Sequence, residues 1–252
     1  MLVMLRSLLF SLLFFIWTVS LMLLLTLPVL VLPRRTMLPL LRFFAWSVLV
    51  LLRLCCGIRL RVTGREYLPT SGPALVAAKH QSAFDTIVWL HLLPDASYVL
   101  KQELLKVPLW GLLARRTKMI AVDRQAGGKA MRQMLAEAKA AAAEGRQVVI
   151  FPEGTRTLPG QRVAYQPGVI GLAGIMRVPV IPVATDSGHH WPRHGLRKPP
   201  GVITVALLPP LPPTLPRDQL LPALEAAIEA ETERLRATRD PVRKAVDNSV
   251  DQ

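Results

Sequence analysis

Two long apolar segments open the chain. Residues 7–33 contain no charged side chain, and this run exceeds the roughly 20 apolar residues that span a bilayer core. A second segment, residues 36–58, is interrupted by one proline and two arginines, and its uninterrupted part, 43–52, is too short to span. The pattern therefore predicts two N-terminal membrane-associated helices.

The arrangement of these two helices in the membrane stays open at this point. Several arginines follow the first segment, whereas only Arg6 precedes it, so a spanning first helix would place the rest of the chain in the cytoplasm. Either the first helix spans and the second lies in the interface, or both form a hairpin that dips into one leaflet. Pro28 and Pro33 are expected to end the first helix.

From about residue 59 onward, short β-rich runs alternate with helical patterns. Strands are predicted at 58–62, 74–79, 97–100, 118–122, 147–151, 178–184 and 202–208. Helices are predicted at 85–93, 129–144, 166–174 and 218–238. This alternation predicts an α/β fold with a mixed, largely parallel sheet flanked by helices. The predicted domains are membrane helices at 1–58, an α/β domain at 59–240 and a polar tail at 241–252.

Composition narrows the class of partner. The 252 residues carry a formal net charge of +14, which suits nucleic acid or anionic lipid equally. Only 6% of residues are aromatic, too few for base-stacking platforms, so anionic membrane lipids are favoured and nucleic acid is not. The two cysteines, Cys55 and Cys56, are adjacent and predict neither a structural disulfide nor a zinc site.

The stretch KHQSAFDT, residues 79–86, places an imidazole and a carboxylate five positions apart after a predicted strand. On one continuous helix His80 and Asp85 would be rotated by roughly 140° and would not meet. They meet only if His80 lies on the loop after the strand and Asp85 in the first turn of the next helix. Such a pair takes a proton from a hydroxyl. The spacing of Ser82 and Asp85 also fits a capping box, so a plain helix cap beginning at Ser82 is the alternative.

The stretch FPEGTRT, residues 151–157, predicts an anion-binding turn. Pro152 and Gly154 favour the turn, and backbone N–H groups with the Arg156 guanidinium suit a phosphate. Glu153 repels phosphate, so it must pair with a cation or accept bonds from loop donors or the substrate. The alternative is an ordinary turn with a surface ion pair.

Three further stretches carry weaker signals. Asp123 and Arg124 follow a predicted strand, and Arg124 could be a second phosphate ligand or part of a solvated loop. Lys101 and Glu103 form a similar case. The stretch HHWPRH, residues 189–194, lacks a matching set of metal ligands and predicts a surface or interfacial loop.

Four blocks, in this order, resemble the lysophosphatidic acid acyltransferase (1-acyl-sn-glycerol-3-phosphate acyltransferase) family. The blocks are 80–85, 122–124 with Lys101 and Glu103 upstream, 151–156 and 178–183. The resemblance covers about residues 60 to 210. Two positions depart from the pattern, because Lys79 stands where asparagine is common and Thr157 where serine is frequent.

The resemblance implies a glycerolipid acyltransferase fold with an N-terminal membrane-associated helical motif. It implies acyl transfer from acyl-CoA or acyl carrier protein to the sn-2 hydroxyl of lysophosphatidic acid, with His80, oriented by Asp85, as the base and no covalent acyl-enzyme. The implied substrate-binding residues are Lys101, Arg124, Glu153, Gly154, Thr155 and Arg156. Neither a cofactor nor a metal is implied, and the expected location is the cell inner membrane with the catalytic domain on the cytoplasmic face.

Two alternatives to this activity remain open. Acyltransferases for other lyso-lipids, such as lyso-ornithine lipid, share the same blocks. A membrane lipid-binding module without catalytic activity could keep the fold, although the intact His80, Asp85, Glu153 and Arg156 argue against it.

Overall fold

The secondary structure follows the predicted alternation of strands and helices. The computed structural model describes residues 1–123 and 127–239, so Arg124 and the predicted polar tail lie outside the described residues. The helices are α1 (Leu2–Val31), α2 (Arg34–Cys56), α3 (Phe84–Leu92), α4 (Trp110–Arg116), α5 (Gly127–Ala143), α6 (Gly168–Met176) and α7 (Arg217–Ala237). The strands are β1 (Ile58–Thr63), β2 (Ala74–Ala78), β3 (Ala96–Lys101), β4 (Ile120–Val122), β5 (Gln147–Ile150), β6 (Val180–Thr185) and β7 (Gly201–Leu207).

The strands form one sheet in the order β1-β7-β6-β2-β5-β3-β4. The neighbours from β6 to β4 pair in parallel, whereas β7 pairs antiparallel with β6. The prediction of a mixed, largely parallel sheet is therefore confirmed. One consequence matters for function: the carboxyl ends of β2, β3, β4, β5 and β6 all lie at the same edge of the sheet.

The sheet is covered by helices on both faces because its central strands are apolar on both sides. Along β2, Val76 faces a core shared with Phe84 and Trp89 of α3, while Leu75 faces one shared with α5, α6 and α7. All four of these side chains are at most 1% exposed. Each such buried side chain stabilises the fold by about 1.5–3 kcal/mol.

Helices α1 and α2 form a hairpin that packs on the α3 face of the sheet. The Trp17 indole N–H donates to the Ser47 hydroxyl across the hairpin at 2.8 Å. Val48 and Leu52 of α2 and Phe10 of α1 belong to the same buried core as the sheet. Two stretches, Leu2–Thr26 and Arg34–Cys56, are long and apolar enough to cross a membrane, and their outward faces expose large apolar side chains. The two apolar helices indicate membrane association.

Two local features differ from the sequence-based expectations. Pro28 does not end α1, which continues to Val31, because a proline in the last turn removes only a single backbone donor. Leu32, which precedes Pro33, is extended, as expected for a residue before proline. The short helix α4 was not predicted, since seven residues are too few to show a helical period.

Candidate active site

The candidate active site lies at the edge where the parallel strands end. His80 follows β2, Phe151 follows the adjacent β5, and Lys101 ends β3, the next strand along. Neighbouring strands are about 4.8 Å apart, which places the end of β3 about 10 Å from that of β2. The topology thus collects residues that are far apart in the sequence.

His80 and Asp85 meet, as the spacing required. His80 Nδ1 lies 3.1 Å from Asp85 Oδ2, and this oxygen also accepts the backbone N–H groups of Gln81 (2.7 Å) and Ser82 (2.8 Å). The side chains of His80 and Asp85 are 13% and 3% exposed, respectively. Three donors hold the carboxylate in place, and because the contact uses Nδ1, Nε2 is the nitrogen left for a substrate proton.

The capping alternative and the catalytic one describe the same carboxylate. Helix α3 begins at Phe84, two residues later than the expected start at Ser82. Asp85 accepts the Ser82 N–H, as in a capping box, but the Ser82 hydroxyl accepts from Phe84 N at 3.1 Å. The turn that Asp85 stabilises is therefore the turn that brings it to His80.

Phe151 covers one face of the His80 ring. The two rings stack with centroids 4.1 Å apart and planes at 20°. Tyr98 stacks behind Phe151 at 6.3 Å. The stack fixes the plane of the imidazole, as the Asp85 contact fixes its rotation. This contact was not predicted, although Phe151 is the first residue of the FPEGTRT stretch.

The inward side of the FPEGTRT turn holds the main chain of His80. Glu153 Oε2 accepts the His80 N–H at 2.6 Å, and Thr157 N donates to the His80 carbonyl at 2.8 Å. Glu153 Oε1 accepts from the Thr157 hydroxyl at 2.8 Å. Glu153 is buried, and burial raises the pKa of its carboxyl, while the Lys79 ammonium opposes that rise. Of the partners expected for Glu153, the structure supplies a cation and loop donors.

A buried ion-pair network lies behind these contacts. Lys79 Nζ is 2.7 Å from Glu153 Oε1 and 2.6 Å from Glu229 Oε1 on α7. The Tyr165 hydroxyl donates to the same Glu229 oxygen at 2.9 Å. Burial raises the pKa of Tyr165, so the phenol stays protonated and keeps donating. No local sequence pattern identifies Glu229 as part of this network. The available signal was its partner Lys79, a lysine at the end of an apolar strand.

The outward side of the turn carries the predicted phosphate ligands. Gly154 adopts a left-handed φ of 69°, and its N–H donates to the Phe151 carbonyl at 2.9 Å. Thr155 is exposed and Arg156 is half-buried, while Lys101 is exposed at the end of β3. Arg124 lies outside the described residues. The structure thus brings Thr155, Arg156 and Lys101 to the edge that holds His80, each accessible to a ligand.

The HHWPRH stretch lies under α1. The ring of Trp191 packs edge-on against Phe10 of α1, and His190 Nδ1 lies 2.8 Å from the Pro199 carbonyl. Within residues 1–123 and 127–239, no group of three or more His, Cys, Asp or Glu side chains could hold a metal ion. The expectation of an interfacial loop fits the contacts with the membrane-associated helix.

The family model and the relatives that match this chain are all acyltransferases. The family model described as Acyltransferase matches residues 59–186. A 1-acyl-sn-glycerol-3-phosphate acyltransferase of Pseudomonas aeruginosa is 38% identical over 168 residues, 67% of this chain and 63% of the relative. The alpha form of the enzyme of that name from Mus musculus is 32% identical over 158 residues, 62% of this chain and 55% of the relative. The matched segment therefore spans less than two thirds of either relative.

A solved structure shares the fold. The crystal structure of the 1-acyl-sn-glycerophosphate (LPA) acyltransferase PlsC from Thermotoga maritima superposes with a TM-score of 0.76. The superposition covers 92% of this chain and 97% of that chain at 22% sequence identity. At this identity the likeness shows the fold, and it confirms the predicted fold class, including the two N-terminal helices.

Proposed function

We propose that this chain, which belongs to the acyltransferase family, transfers an acyl chain from acyl-CoA or acyl carrier protein to the sn-2 hydroxyl of lysophosphatidic acid, giving phosphatidic acid. The observation that carries the proposal is the contact of 3.1 Å between His80 and Asp85 at the ligand-accessible edge of the sheet. The similarity to 1-acyl-sn-glycerol-3-phosphate acyltransferases supports the choice of acceptor.

The proposed reaction is direct transfer with general-base catalysis. His80 Nε2 takes the proton of the sn-2 hydroxyl while the hydroxyl oxygen attacks the thioester carbonyl. The tetrahedral intermediate collapses by breaking the carbon–sulfur bond, and the imidazolium returns the proton to the thiolate that leaves. Asp85 keeps Nδ1 protonated throughout and stabilises the transient imidazolium. These steps use only residues of the chain and the two substrates, so no cofactor is required.

The exposed residues at the edge are proposed to hold the phosphate of the acceptor. Arg156 and Lys101 supply positive charge, and Thr155 supplies a hydroxyl and a backbone N–H. Arg124 is proposed as a further ligand from its sequence position alone. Because the Gly154 N–H already donates within the turn, Gly154 contributes its left-handed conformation. Glu153 contributes from the inward side, through the main chain of His80.

We infer that the N-terminal hairpin (1–58) lies in one leaflet. Helix α1 is about 45 Å long, yet it contacts the α/β domain near both ends. Phe10 packs on Trp191, and Arg116 Nη2 donates to the Leu30 carbonyl at 2.9 Å. A helix that crossed the bilayer would carry its ends on opposite sides. These contacts favour the leaflet-dipping alternative.

The net positive charge of the chain supports binding to an anionic membrane surface. The proposed acyl donors, acyl-CoA and acyl carrier protein, support a location on the cytoplasmic face of the inner membrane.

The proposal is tested by an acceptor and donor panel with the purified full chain in vesicles. The acceptors are lysophosphatidic acid, lyso-ornithine lipid and a neutral lyso-lipid, each offered with acyl-CoA and with acyl carrier protein. We expect the highest kcat/KM with lysophosphatidic acid. A higher value with lyso-ornithine lipid would reassign the acceptor, and no transfer to any acceptor would support a lipid-binding module instead.

A further inference from the structure

The ammonium group of Lys79, the residue that precedes His80, is buried. The Lys79 side chain is 1% exposed, and two carboxylates lie within 2.7 Å of its Nζ. A lysine that binds a substrate phosphate must present its charge to solvent before the substrate arrives. Lys79 presents its charge only to groups of the protein, so it is not a phosphate ligand. Lys79 must therefore act through the protein groups that it contacts.

Those contacts lead to the main chain of His80. Lys79 binds Glu153 Oε1, and the second oxygen of that carboxylate accepts the His80 N–H at 2.6 Å. The Glu153 carboxylate accepts hydrogen bonds from Lys79, Thr157 and His80, so only its ionised form fits all three donors. All three donors favour the ionised carboxylate, and Lys79, the only charged group among them, favours it most.

Glu229 fixes Lys79 from the far side. It lies on the buried face of α7, outside residues 59–186 that the family model matches. Its Oε1 is held by both Lys79 Nζ at 2.6 Å and the Tyr165 hydroxyl at 2.9 Å. The C-terminal helix therefore contributes a side chain to the network that ends at the base.

We propose that Lys79 and Glu229 are positioning residues for His80: Lys79 keeps Glu153 ionised so that it holds the His80 main chain, and Glu229 from α7 anchors Lys79. The inference rests on the proposed function, because it assumes that His80 is the base. It extends that function to a helix that the motifs do not include.

Losing Lys79 and losing the charge of Glu229 are expected to shift the pKa of Glu153 in opposite directions. Lys79 lowers the pKa of Glu153 against the effect of burial, so losing Lys79 raises that pKa further. Glu229 is a second carboxylate on the same lysine, so losing its charge lowers the pKa of Glu153. Among the described residues, the other ionisable groups that face the cluster or a cavity of about 10 Å³ beside it are His80, Arg162, Tyr165, Asp186, His189, Glu225, Glu233 and Arg236.

The test is the pH dependence of kcat for two isosteric variants. In Lys79→Met, Glu153 takes up a proton at higher pH, and the acid limb of kcat should move upward by about one pH unit or more. In Glu229→Gln, the acid limb should move to lower pH where Glu153 sets it in the parent, and the infrared band of the protonated Glu153 carboxyl should move to lower pH in either case. A merely structural lesion lowers kcat at every pH and shifts neither limb. Should Lys79→Met fail to fold, Glu229→Gln carries the test, because it keeps the lysine and the shape of the side chain.

Two controls separate Glu153 from direct effects on His80. Adding Lys79→Met to a Glu153→Gln background should give a smaller shift, since position 153 no longer titrates. Lys198→Met also removes a buried ammonium, but Lys198 binds Ser11 Oγ of α1 at 3.0 Å, and this variant should leave the acid limb in place. Acid limbs that stay in place in both Lys79→Met and Glu229→Gln would overturn the inference.

An infrared readout makes the test independent of activity. The band of a protonated carboxyl, taken as the difference from Glu153→Gln, should appear at higher pH in Lys79→Met than in the parent, and at lower pH in Glu229→Gln. If the parent transfers no acyl chain, the proposed function fails, and the band still decides whether Lys79 and Glu229 control Glu153. An unmoved band contradicts the inference even in an active enzyme.

Discussion

The candidate site has two halves that differ in burial and in how far their polar groups bind one another. We call the buried half the base cluster (Lys79, His80, Asp85, Glu153 and Thr157) and the exposed half the acceptor edge (Lys101, Gly154, Thr155 and Arg156). In the base cluster, carboxylates and donors already satisfy one another at 2.6–3.1 Å. At the acceptor edge, Lys101 and Thr155 are exposed to solvent. In the proposed function, the groups that transfer the proton are therefore preorganised by the protein itself, while the acceptor edge offers its charge to solvent.

The largest effect outside the base itself is expected for Asp85→Asn. All three donors reach one oxygen, Asp85 Oδ2, which the amide oxygen can replace, but a neutral amide accepts these bonds more weakly and no longer stabilises an imidazolium. We expect kcat to fall by about 10²–10⁴-fold while the KM for lysophosphatidic acid changes little, because the acceptor edge is intact. Steady-state kinetics on the purified variant measure both.

The matched control for that variant is Asp95→Asn. Asp95 pairs with Arg34 just before β3, at the opposite edge of the sheet. Asp95→Asn should leave kcat near the parent value. A kcat for Asp85→Asn within a few-fold of the parent would remove Asp85 from the base cluster.

A smaller loss of kcat is expected for Glu153→Gln. All three partners of the Glu153 carboxylate are donors, so the amide nitrogen must face one of them and leave it unsatisfied. An unsatisfied buried donor costs about 1–3 kcal/mol, which corresponds to roughly a tenfold to hundredfold loss if it falls on the transition state. Thr157→Ser keeps the hydroxyl and serves as the control. If Glu153→Gln raised the KM alone, Glu153 would belong with the acceptor edge.

At the acceptor edge, Arg156→Ala should act on KM. Losing the guanidinium should raise the KM for lysophosphatidic acid by about tenfold and leave kcat within a few-fold, because a charge-assisted hydrogen bond contributes about 1.5–3 kcal/mol. The effect should shrink at high salt. An equal loss with a neutral lyso-lipid would argue that Arg156 does not bind phosphate.

The smallest effect on catalysis is expected for a change outside both halves. Phe10→Ala removes the ring that packs on Trp191 and should lower the free energy of unfolding by about 3 kcal/mol. In detergent, kcat and KM should stay within about twofold of the parent, because Phe10 belongs to neither half and packs on Trp191. Thermal unfolding and kinetics measured on the same preparation check this. A large loss of kcat would show that the hairpin, and not the sheet edge alone, shapes the site.

The residues of the base cluster could be predicted from the sequence to different extents, for physical reasons. The pair of His80 and Asp85 was accessible because strand, loop and helix lie within a few residues, so local geometry settles where the side chains meet. The partner of Glu153 was foreseen only as some cation or donor. That cation is Lys79 because β2 and β5 are neighbouring strands. Glu229 joins the network because of how α7 packs. Neither arrangement has a local sequence pattern. Lys101 reached the edge by the same strand order, and Arg124 stays a prediction.

We propose His80 as the general base of an acyl transfer that forms phosphatidic acid. The most direct test compares kcat of the parent and His80→Ala on vesicles with lysophosphatidic acid, together with thermal unfolding and vesicle association. We predict that His80→Ala loses at least about 10²-fold in kcat, with unfolding and vesicle association unchanged. A His80→Ala variant that keeps kcat within about threefold of the parent would show that His80 is not the base.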